Sequence, residues 1–292
     1  MSDLKLWIKG ARLRTLPLAV APILIGAGTA QLAGKFNLGY VLLALAVALF
    51  LQIGVNYSND YSDGIRGTDD NRKGPARLTG GGFVPPKKVR NAAFASFAVA
   101  AVFGLVITVL TQQWWFVAVG VVCILAAWFY TGGKNPYGYA GLGEVIVFIF
   151  FGLVATIGTD YIQTLEITFL SVLGGAAAGC FATAVLLINN IRDIETDRLS
   201  GKKTLSTRIG KTASLVLFVV LTWAPFSLVA PLWLVAPAAF VVNLFILPVL
   251  IINVIAVSAK SPKDQILALQ LTSYTALLFA FGLSWGLFTL NF

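Results

Sequence analysis

The feature that most constrains this chain is a series of long apolar segments, each about 20 residues long and almost free of charged residues. A helix of roughly 20 apolar residues crosses the hydrocarbon core of a bilayer. Hydrophobic residues make up 58% of the chain and charged residues 11%, against about 45–50% and about 25% in an average soluble domain. A soluble core does not use that much apolar surface, so the sequence predicts an all-α membrane protein that crosses the lipid bilayer many times.

We predict one membrane domain over residues 1–292, a bundle of about nine transmembrane helices. The predicted spans are 16–33, 39–62, 91–111, 114–131, 142–159, 167–188, 213–230, 233–257 and 267–289. The seventh and eighth are separated only at Pro231, so eight spans are the alternative. Small residues at 174–179 permit close helix approach, either within one chain or between two copies.

The basic residues lie almost entirely on one side of these predicted spans. Lys35 alone falls on the other side, and the rest lie at 5–14, 66–90, 134, 192–211 and 260–263. Loops on the cytoplasmic side carry an excess of Lys and Arg, so we expect the N-terminus and the charged loops to face the cytoplasm from the cell membrane. This topology also explains the net charge of +9, and no separate basic domain indicates a nucleic-acid partner.

Two long connections, at about 64–90 and 190–212, follow the second and sixth predicted spans and are expected to cover an active site. The first carries NYSNDYSDGIRGTDD from Asn56 to Asp70. Asn56, Asn59 and Asp63 are spaced i, i+3 and i+7, so they share one face of a helix. Gly64 and Gly67 let the chain leave the helix, which would allow Asp69 to fold back over the same face.

The second connection carries NNIRDIETDR, in which Asn189, Asp193 and Asp197 share one helical face. Carboxylates close to hydrocarbon are costly and are candidates for function by default. The chain contains no His, and oxygen donors without His suit a hard cation such as Mg²⁺. Two facing clusters predict two Mg²⁺ ions with a diphosphate between them, and the alternative is a pair of ordinary solvated helix ends.

Basic residues follow both acidic clusters. Arg and Lys are the usual partners of phosphate oxygens, although each of these residues is also explained singly as a topology charge. The candidates for diphosphate binding are Arg72, Lys73, Arg77, Lys202, Lys203 and Arg208.

The strings NDYSD at 59–63 and RDIETD at 192–197 resemble the two Asp-rich motifs of the UbiA-type intramembrane prenyltransferases, and the resemblance covers nearly the whole chain. In branches with a ubiquinone-type acceptor, a third Asp comes eight residues after the motif Asn. Here that position is Gly67 and the acid comes at Asp69, as in the branch that prenylates 1,4-dihydroxy-2-naphthoate. Four further strings are similar to that branch: RLRTLPLAVAPILIG at 12–26, GPARLTGGG at 74–82, YTGGKNPYGYAGLGE at 130–144 and GKKTLSTRIG at 201–210.

The resemblance implies a cavity open to lipid, with the diphosphate at the cytoplasmic rim and the prenyl tail in the membrane. It implies Mg²⁺-dependent transfer of a polyprenyl group from polyprenyl diphosphate to an aromatic acceptor. In the naphthoate branch this gives demethylmenaquinol, with loss of CO₂, in menaquinone biosynthesis. Alternative acceptors are 4-hydroxybenzoate, homogentisate or a lipid-linked sugar phosphate. A secondary transporter is a remoter alternative, because transport sites usually lie near the bilayer midplane whereas the acids here cluster at one rim.

The resemblance also suggests roles for individual residues. One Mg²⁺ is expected at Asn59, Asp63 and Asp69 and the other at Asn189, Asp193 and Asp197, and the four acids of these sets are the catalytic candidates. Asp60 is expected to be a further ligand or to support one.

Candidates for acceptor binding come from the string at 130–144. Tyr130, Tyr137 and Tyr139 are expected to flank the acceptor or an allylic cation, since aromatic faces stabilise cations, and interfacial anchoring is their alternative role. Lys134 is a candidate partner for the acceptor's carboxylate. Glu144 is expected to orient a basic side chain or to act as a base, or only to cap a helix.

Overall fold

The computed structural model describes residues 3–69 and 77–289, and the regular structure within these ranges is entirely helical. The α-helices are α1 Asp3–Ala11, α2 Pro17–Leu32, α3 Leu38–Ile65, α4 Pro86–Thr111, α5 Phe116–Phe129, α6 Gly143–Phe148, α7 Ala155–Thr164, α8 Phe169–Leu199, α9 Leu205–Val229, α10 Leu232–Val235, α11 Ile246–Ser258 and α12 Pro262–Phe288. A π-helical segment, Ile149–Val154, joins α6 to α7. The predicted all-α membrane class is confirmed.

The number of spans is slightly lower than predicted. Within the described residues, seven helical segments are long and apolar enough to cross a bilayer, and an eighth is added if Leu4–Thr15 and Pro17–Leu32, bent by 49°, count as one span. The predicted span at 114–131 is only the 14-residue helix α5. That length falls short of the roughly 20 residues that a straight span requires.

Local sequence signals explain where the spans begin. The side chain of Asn37 accepts a hydrogen bond from the backbone N–H of Tyr40 at 3.2 Å and caps α3. Ser261 and Asp264 form a reciprocal capping box at the start of α12, where Pro262 occupies the first helical position. These residues satisfy backbone N–H groups that have no partner inside a helix.

The second acidic cluster lies on a helix, which corrects the predicted loop at 190–212. Helix α8 continues to Leu199 and α9 begins at Leu205, so the connection is only residues 200–204. The helix continues beyond the end of the apolar sequence because its polar residues Asn190, Arg192 and Asp193 are buried in the protein. Burial with partners stabilises a polar helix end that hydropathy alone places outside the bundle.

Helix packing places the ends of α3 and α8 on the same side of the bundle. Helix α3 packs on α4, α8 on α9, and α2 on α12. The π-helical segment approaches α8 so closely that a Cβ atom on Gly152 would lie 2.5 Å from the carbonyl oxygen of Gly175. We call the side where α3 and α8 end the polar end of the bundle, because both acidic clusters lie there.

Candidate active site

A cavity of about 390 Å³ extends from the polar end into the apolar interior, and we call it the main cavity. Its polar part is lined by Asn59, Asp63, Arg77, Asn189, Asp193, Asp197 and Lys202. Its apolar part is lined by residues farther along the spans, including Ile23, Ile107, Phe150, Val154 and Ile162. Such a wall suits a substrate with a charged head and a long apolar tail.

Asp63, in the last turn of α3, is the centre of the first acidic cluster. Its carboxylate lies 3.1 Å from Nη2 of Arg77 and 3.3 Å from Nζ of Lys202. The hydroxyl of Tyr139 donates a hydrogen bond of 2.5 Å to the same carboxylate. Nε of Arg77 lies 3.3 Å from Asp69, so one guanidinium group contacts both Asp63 and Asp69, although Asp69 is not in the wall of the main cavity.

The protonation states of these partners follow from burial and charge. Burial lowers the pKa of Arg77, but the carboxylates of Asp63, Asp69, Asp60 and Asp193 outweigh it and hold the pKa above its ordinary value. Burial, and then the charge of Asp63, raise the pKa of Tyr139. Arg77 therefore keeps its charge and Tyr139 keeps the proton that it donates to the carboxylate.

The second acidic cluster is organised by Arg192, to which sequence reasoning gave no role. Its Nε and Nη2 donate to the carboxylate of Asp193 at 2.8 and 2.5 Å, and Nη2 also donates to Oδ1 of Asn189 at 2.8 Å. Adjacent residues on a helix do not normally face each other, so helical spacing gave no signal for this pair. The Arg–Asp dipeptide itself was the only available hint.

Three tyrosines predicted near the acceptor all line the main cavity. The rings of Tyr130 and Tyr137 pack edge to face with centroids 5.5 Å apart, and the hydroxyl of Tyr137 donates to the carbonyl oxygen of Ala126 at 2.7 Å. Nζ of Lys202 lies 4.5 Å from the centroid of the Tyr139 ring. The structure therefore places these rings at the cavity wall.

Asn59 is fixed by a residue that the sequence did not single out. Its Oδ1 accepts a hydrogen bond of 2.8 Å from the hydroxyl of Thr131. Farther along the wall, Thr15 accepts a 3.0 Å hydrogen bond from Nε2 of Gln52. Thr131, Thr15 and Gln52 all line the main cavity. Thr15 and Thr131 lie in the strings at 12–26 and 130–144 that carry the family resemblance, but neither was predicted as a site residue.

Asp60, which the sequence predicts as a further ligand or as support for one, is held by backbone groups. Its two carboxylate oxygens accept the backbone N–H groups of Leu78 and Thr79 at 2.8 and 2.7 Å. It is 1% exposed and is absent from the wall of the main cavity. The carboxylate therefore anchors the segment that follows Arg77.

Like Asp69, four other candidates also lie away from the main cavity. Lys134, Lys203 and Arg208 are exposed, and Arg208 donates to the backbone carbonyl oxygens of Lys203 and Ala140 at 3.1 and 2.9 Å. Glu144 is buried, and its Oε1 accepts a 2.9 Å hydrogen bond from Nδ2 of Asn190, which does line the cavity. Two further candidates, Arg72 and Lys73, lie outside the described residues.

The donor chemistry of the polar end fits a hard divalent cation. In the described ranges, no three Asp, Glu, His or Cys side chains converge as in a formed metal centre. The carboxylates pair with cations of the chain instead, Asp63 with Arg77 and Lys202 and Asp193 with Arg192. Carboxylate and amide oxygens from α3 and α8 nevertheless share one cavity wall, and these are the protein ligands that Mg²⁺ uses.

Comparison with known proteins identifies the family. Residues 19–272 match the model of the UbiA prenyltransferase family. A protein of Mycobacterium tuberculosis named 1,4-dihydroxy-2-naphthoate octaprenyltransferase is 49% identical over 218 residues, which make up 75% of this chain and 74% of that protein.

Two solved structures share the fold. The apo structure of a UbiA homologue from Aeropyrum pernix K1 aligns with a TM-score of 0.72, at 17% identity, over 93% of this chain and 97% of that one. A UbiA homologue from Archaeoglobus fulgidus bound to GPP and Mg²⁺ aligns with a TM-score of 0.64, at 17% identity, over 94% of this chain and 99% of that one. The predicted family is confirmed: this chain belongs to the UbiA prenyltransferase family.

Proposed function

We propose that this protein transfers a polyprenyl group from polyprenyl diphosphate to 1,4-dihydroxy-2-naphthoate, with loss of CO₂, in menaquinone biosynthesis. The observation that carries the proposal is the main cavity, which joins two clusters of oxygen donors and basic side chains to a long apolar wall. The name of the relative from Mycobacterium tuberculosis supports the naphthoate acceptor.

The diphosphate would bind at the polar end. Arg77 and Lys202 line the cavity, and both form ion pairs with Asp63 of the first acidic cluster. These two side chains would donate to phosphate oxygens. We propose that Asn59 and Asp63, with Asp69 on the other side of Arg77, hold one Mg²⁺ and that Asn189, Asp193 and Asp197 hold a second. When bound, Mg²⁺ supplies Lewis-acid neutralisation of the diphosphate leaving group. The Mg²⁺ bound with GPP in the homologue from Archaeoglobus fulgidus supports this proposal.

The reaction replaces the carboxylate of the acceptor with the prenyl group of the donor. The allylic C–O bond of the donor breaks, and its electron pair leaves with diphosphate. A ring carbon of the acceptor forms the new C–C bond, and the pair that bound the carboxylate returns to the ring as CO₂ leaves. Tyr130, Tyr137 and Tyr139 would stabilise positive charge on the allylic carbon through their ring faces, and the apolar wall would exclude water.

The membrane orientation is part of the same proposal. The chain is a multi-pass membrane protein by the length and composition of its helices. We propose that it lies in the cell membrane with the polar end towards the cytoplasm, because the basic residues flank that end. Both substrates' charged groups would then meet the site from the cytoplasmic side.

The test is product formation by the purified protein in detergent. The protein is given labelled polyprenyl diphosphate and 1,4-dihydroxy-2-naphthoate, with either Mg²⁺ or EDTA, and parallel reactions contain 4-hydroxybenzoate or homogentisate. We expect a decarboxylated prenyl naphthoquinol only with Mg²⁺ and only with the naphthoate. Product with another acceptor alone would refute the proposed acceptor, and product formation in EDTA would refute the metal requirement.

A further inference from the structure

A second, smaller cavity lies at the polar end beside the main cavity. Its volume is about 60 Å³, and we call it the basic pocket. Five of the ten residues that line it are cationic and one is acidic: Lys9, Gly10, Arg12, Arg14, Thr15, Asp60, Arg77, Asn189, Arg192 and Leu269. Neither the proposed prenyl transfer nor the metal sites use Lys9 or Arg14.

The charges of the basic pocket are only partly neutralised by the chain. Asp60 directs both oxygens to backbone N–H groups of the following segment. Arg192 is paired with Asp193. Lys9 and Arg14 form no ion pair within the described ranges, and Arg14 lies close enough to Arg192 for the two like charges to interact. Like charges brought together in this way favour a bound anion.

A buried donor in the wall supports the same conclusion. Arg77 is 9% exposed, and its Nη1 has no hydrogen-bond partner among the residues that the structure describes. The other guanidinium nitrogens face Asp63 and Asp69. A buried N–H without an acceptor is unfavourable. Arg77 lines both cavities, so an oxyanion in the basic pocket would provide this acceptor when the main cavity holds no diphosphate.

We propose that the basic pocket binds one phosphate-class oxyanion without a metal ion. Guanidinium groups bind phosphate oxygens through paired N–H donors, and the pocket has four of them.

Two sources could supply this anion. One is inorganic diphosphate released in the main cavity, which shares Arg12, Thr15, Arg77 and Asn189 with the basic pocket; this source rests on the proposed function. The other is the phosphate of an anionic lipid headgroup, because Lys9 is exposed at the polar end. This second source is independent of the proposed function.

The experiment is calorimetric titration of the purified full-length protein with inorganic diphosphate in EDTA and a neutral detergent. We expect saturable binding of one diphosphate per chain, weakened at least tenfold in Lys9→Gln/Arg14→Gln. The matched control Lys5→Gln/Lys87→Gln removes two exposed charges outside the pocket and should bind normally.

Further variants separate this site from the main cavity and from misfolding. Lys202→Gln alters only the main cavity and should leave metal-free binding unchanged. Lys9→Arg/Arg14→Lys keeps both charges and should retain binding. Binding that is absent in EDTA, lost in Lys202→Gln, or unaffected in Lys9→Gln/Arg14→Gln would overturn the proposal.

The source is distinguished in nanodiscs of phosphatidylglycerol or phosphatidylcholine. Weaker diphosphate binding in phosphatidylglycerol would identify the lipid headgroup as a competitor for the pocket, whereas equal binding in both would identify the free anion. If the Lys9→Gln/Arg14→Gln variant instead changed only the KM for the naphthoate, the pocket would belong to a carboxylate and the proposal would fail. Because the titration contains neither metal nor acceptor, its outcome is separate from that of the prenyl-transfer assay.

Discussion

We expect Asp60→Asn to destabilise the fold and to leave the metal requirement unchanged. Asp60 accepts the backbone N–H groups of Leu78 and Thr79 with its two oxygens, at 2.8 and 2.7 Å. Asparagine keeps one of these acceptors and places an NH₂ group opposite the other N–H. The segment that carries Arg77 would then lose half of its anchor.

The magnitude follows from burial, since Asp60 is only 1% exposed. A hydrogen bond to a charged acceptor contributes about 1.5–3 kcal/mol, and a buried donor left without an acceptor costs about 1–3 kcal/mol. Both figures describe the loss of the same bond, so we expect the free energy of unfolding to fall by about 1–3 kcal/mol.

The assay compares thermal unfolding in detergent with Mg²⁺ titrations of activity. Asp60→Asn should unfold at a lower temperature, and below that temperature it should need the same Mg²⁺ concentration for half-maximal activity as the parent. Asp63→Asn, in the wall of the main cavity, should raise that concentration at least tenfold. An unchanged unfolding temperature for Asp60→Asn, together with a higher Mg²⁺ requirement, would show that Asp60 is a metal ligand.

Three further substitutions test the site and the packing. Asp193→Ala should reduce kcat by about a hundredfold or more, because several kcal/mol of transition-state stabilisation depend on neutralising the charge of the leaving group. The control is Glu195→Gln, since the Glu195 side chain is 71% exposed on the same helix, and this variant should retain full activity. Equal loss of activity in both variants would contradict the assignment of Asp193. Tyr139→Phe removes a hydroxyl that donates a 2.5 Å hydrogen bond, so we expect about a tenfold lower kcat, and an unchanged rate would make the hydroxyl dispensable. Gly152→Ala should lower the free energy of unfolding by about 1–3 kcal/mol, since its Cβ would lie 2.5 Å from a backbone oxygen. Gly158→Ala, which meets no atom within 4 Å, is the control, and equal unfolding temperatures would refute the packing argument.

Much of the candidate site was predictable because the acids are spaced for a single helical face. Asn59 and Asp63, and likewise Asn189, Asp193 and Asp197, line one cavity as that spacing indicates. Spacing could not show that Asp60 binds backbone N–H groups, because those groups belong to residues 18 and 19 positions later in the chain. The metal-ligand roles themselves stay a prediction.

The predicted spans were less accurate at their ends than in their centres. Hydropathy located the end of apolar sequence near 188, whereas α8 continues to Leu199. Hydropathy also favoured a full span at 114–131, whereas α5 has 14 residues. Helix ends depend on which polar groups find buried partners, and that information is spread over distant segments.

The sequence by itself determined the membrane environment and the class of fold, and it predicted the type of ligand. Long apolar segments require a bilayer, and acids without His are typical of hard-cation chemistry. Only the tertiary structure decided which charges meet: Asp63 with Arg77 and Lys202 from two separate connections, and four guanidinium groups with Lys9 around the basic pocket. The physical reason is that periodicity records which side chains share one helix face, whereas contacts between helices depend on how closely their surfaces pack.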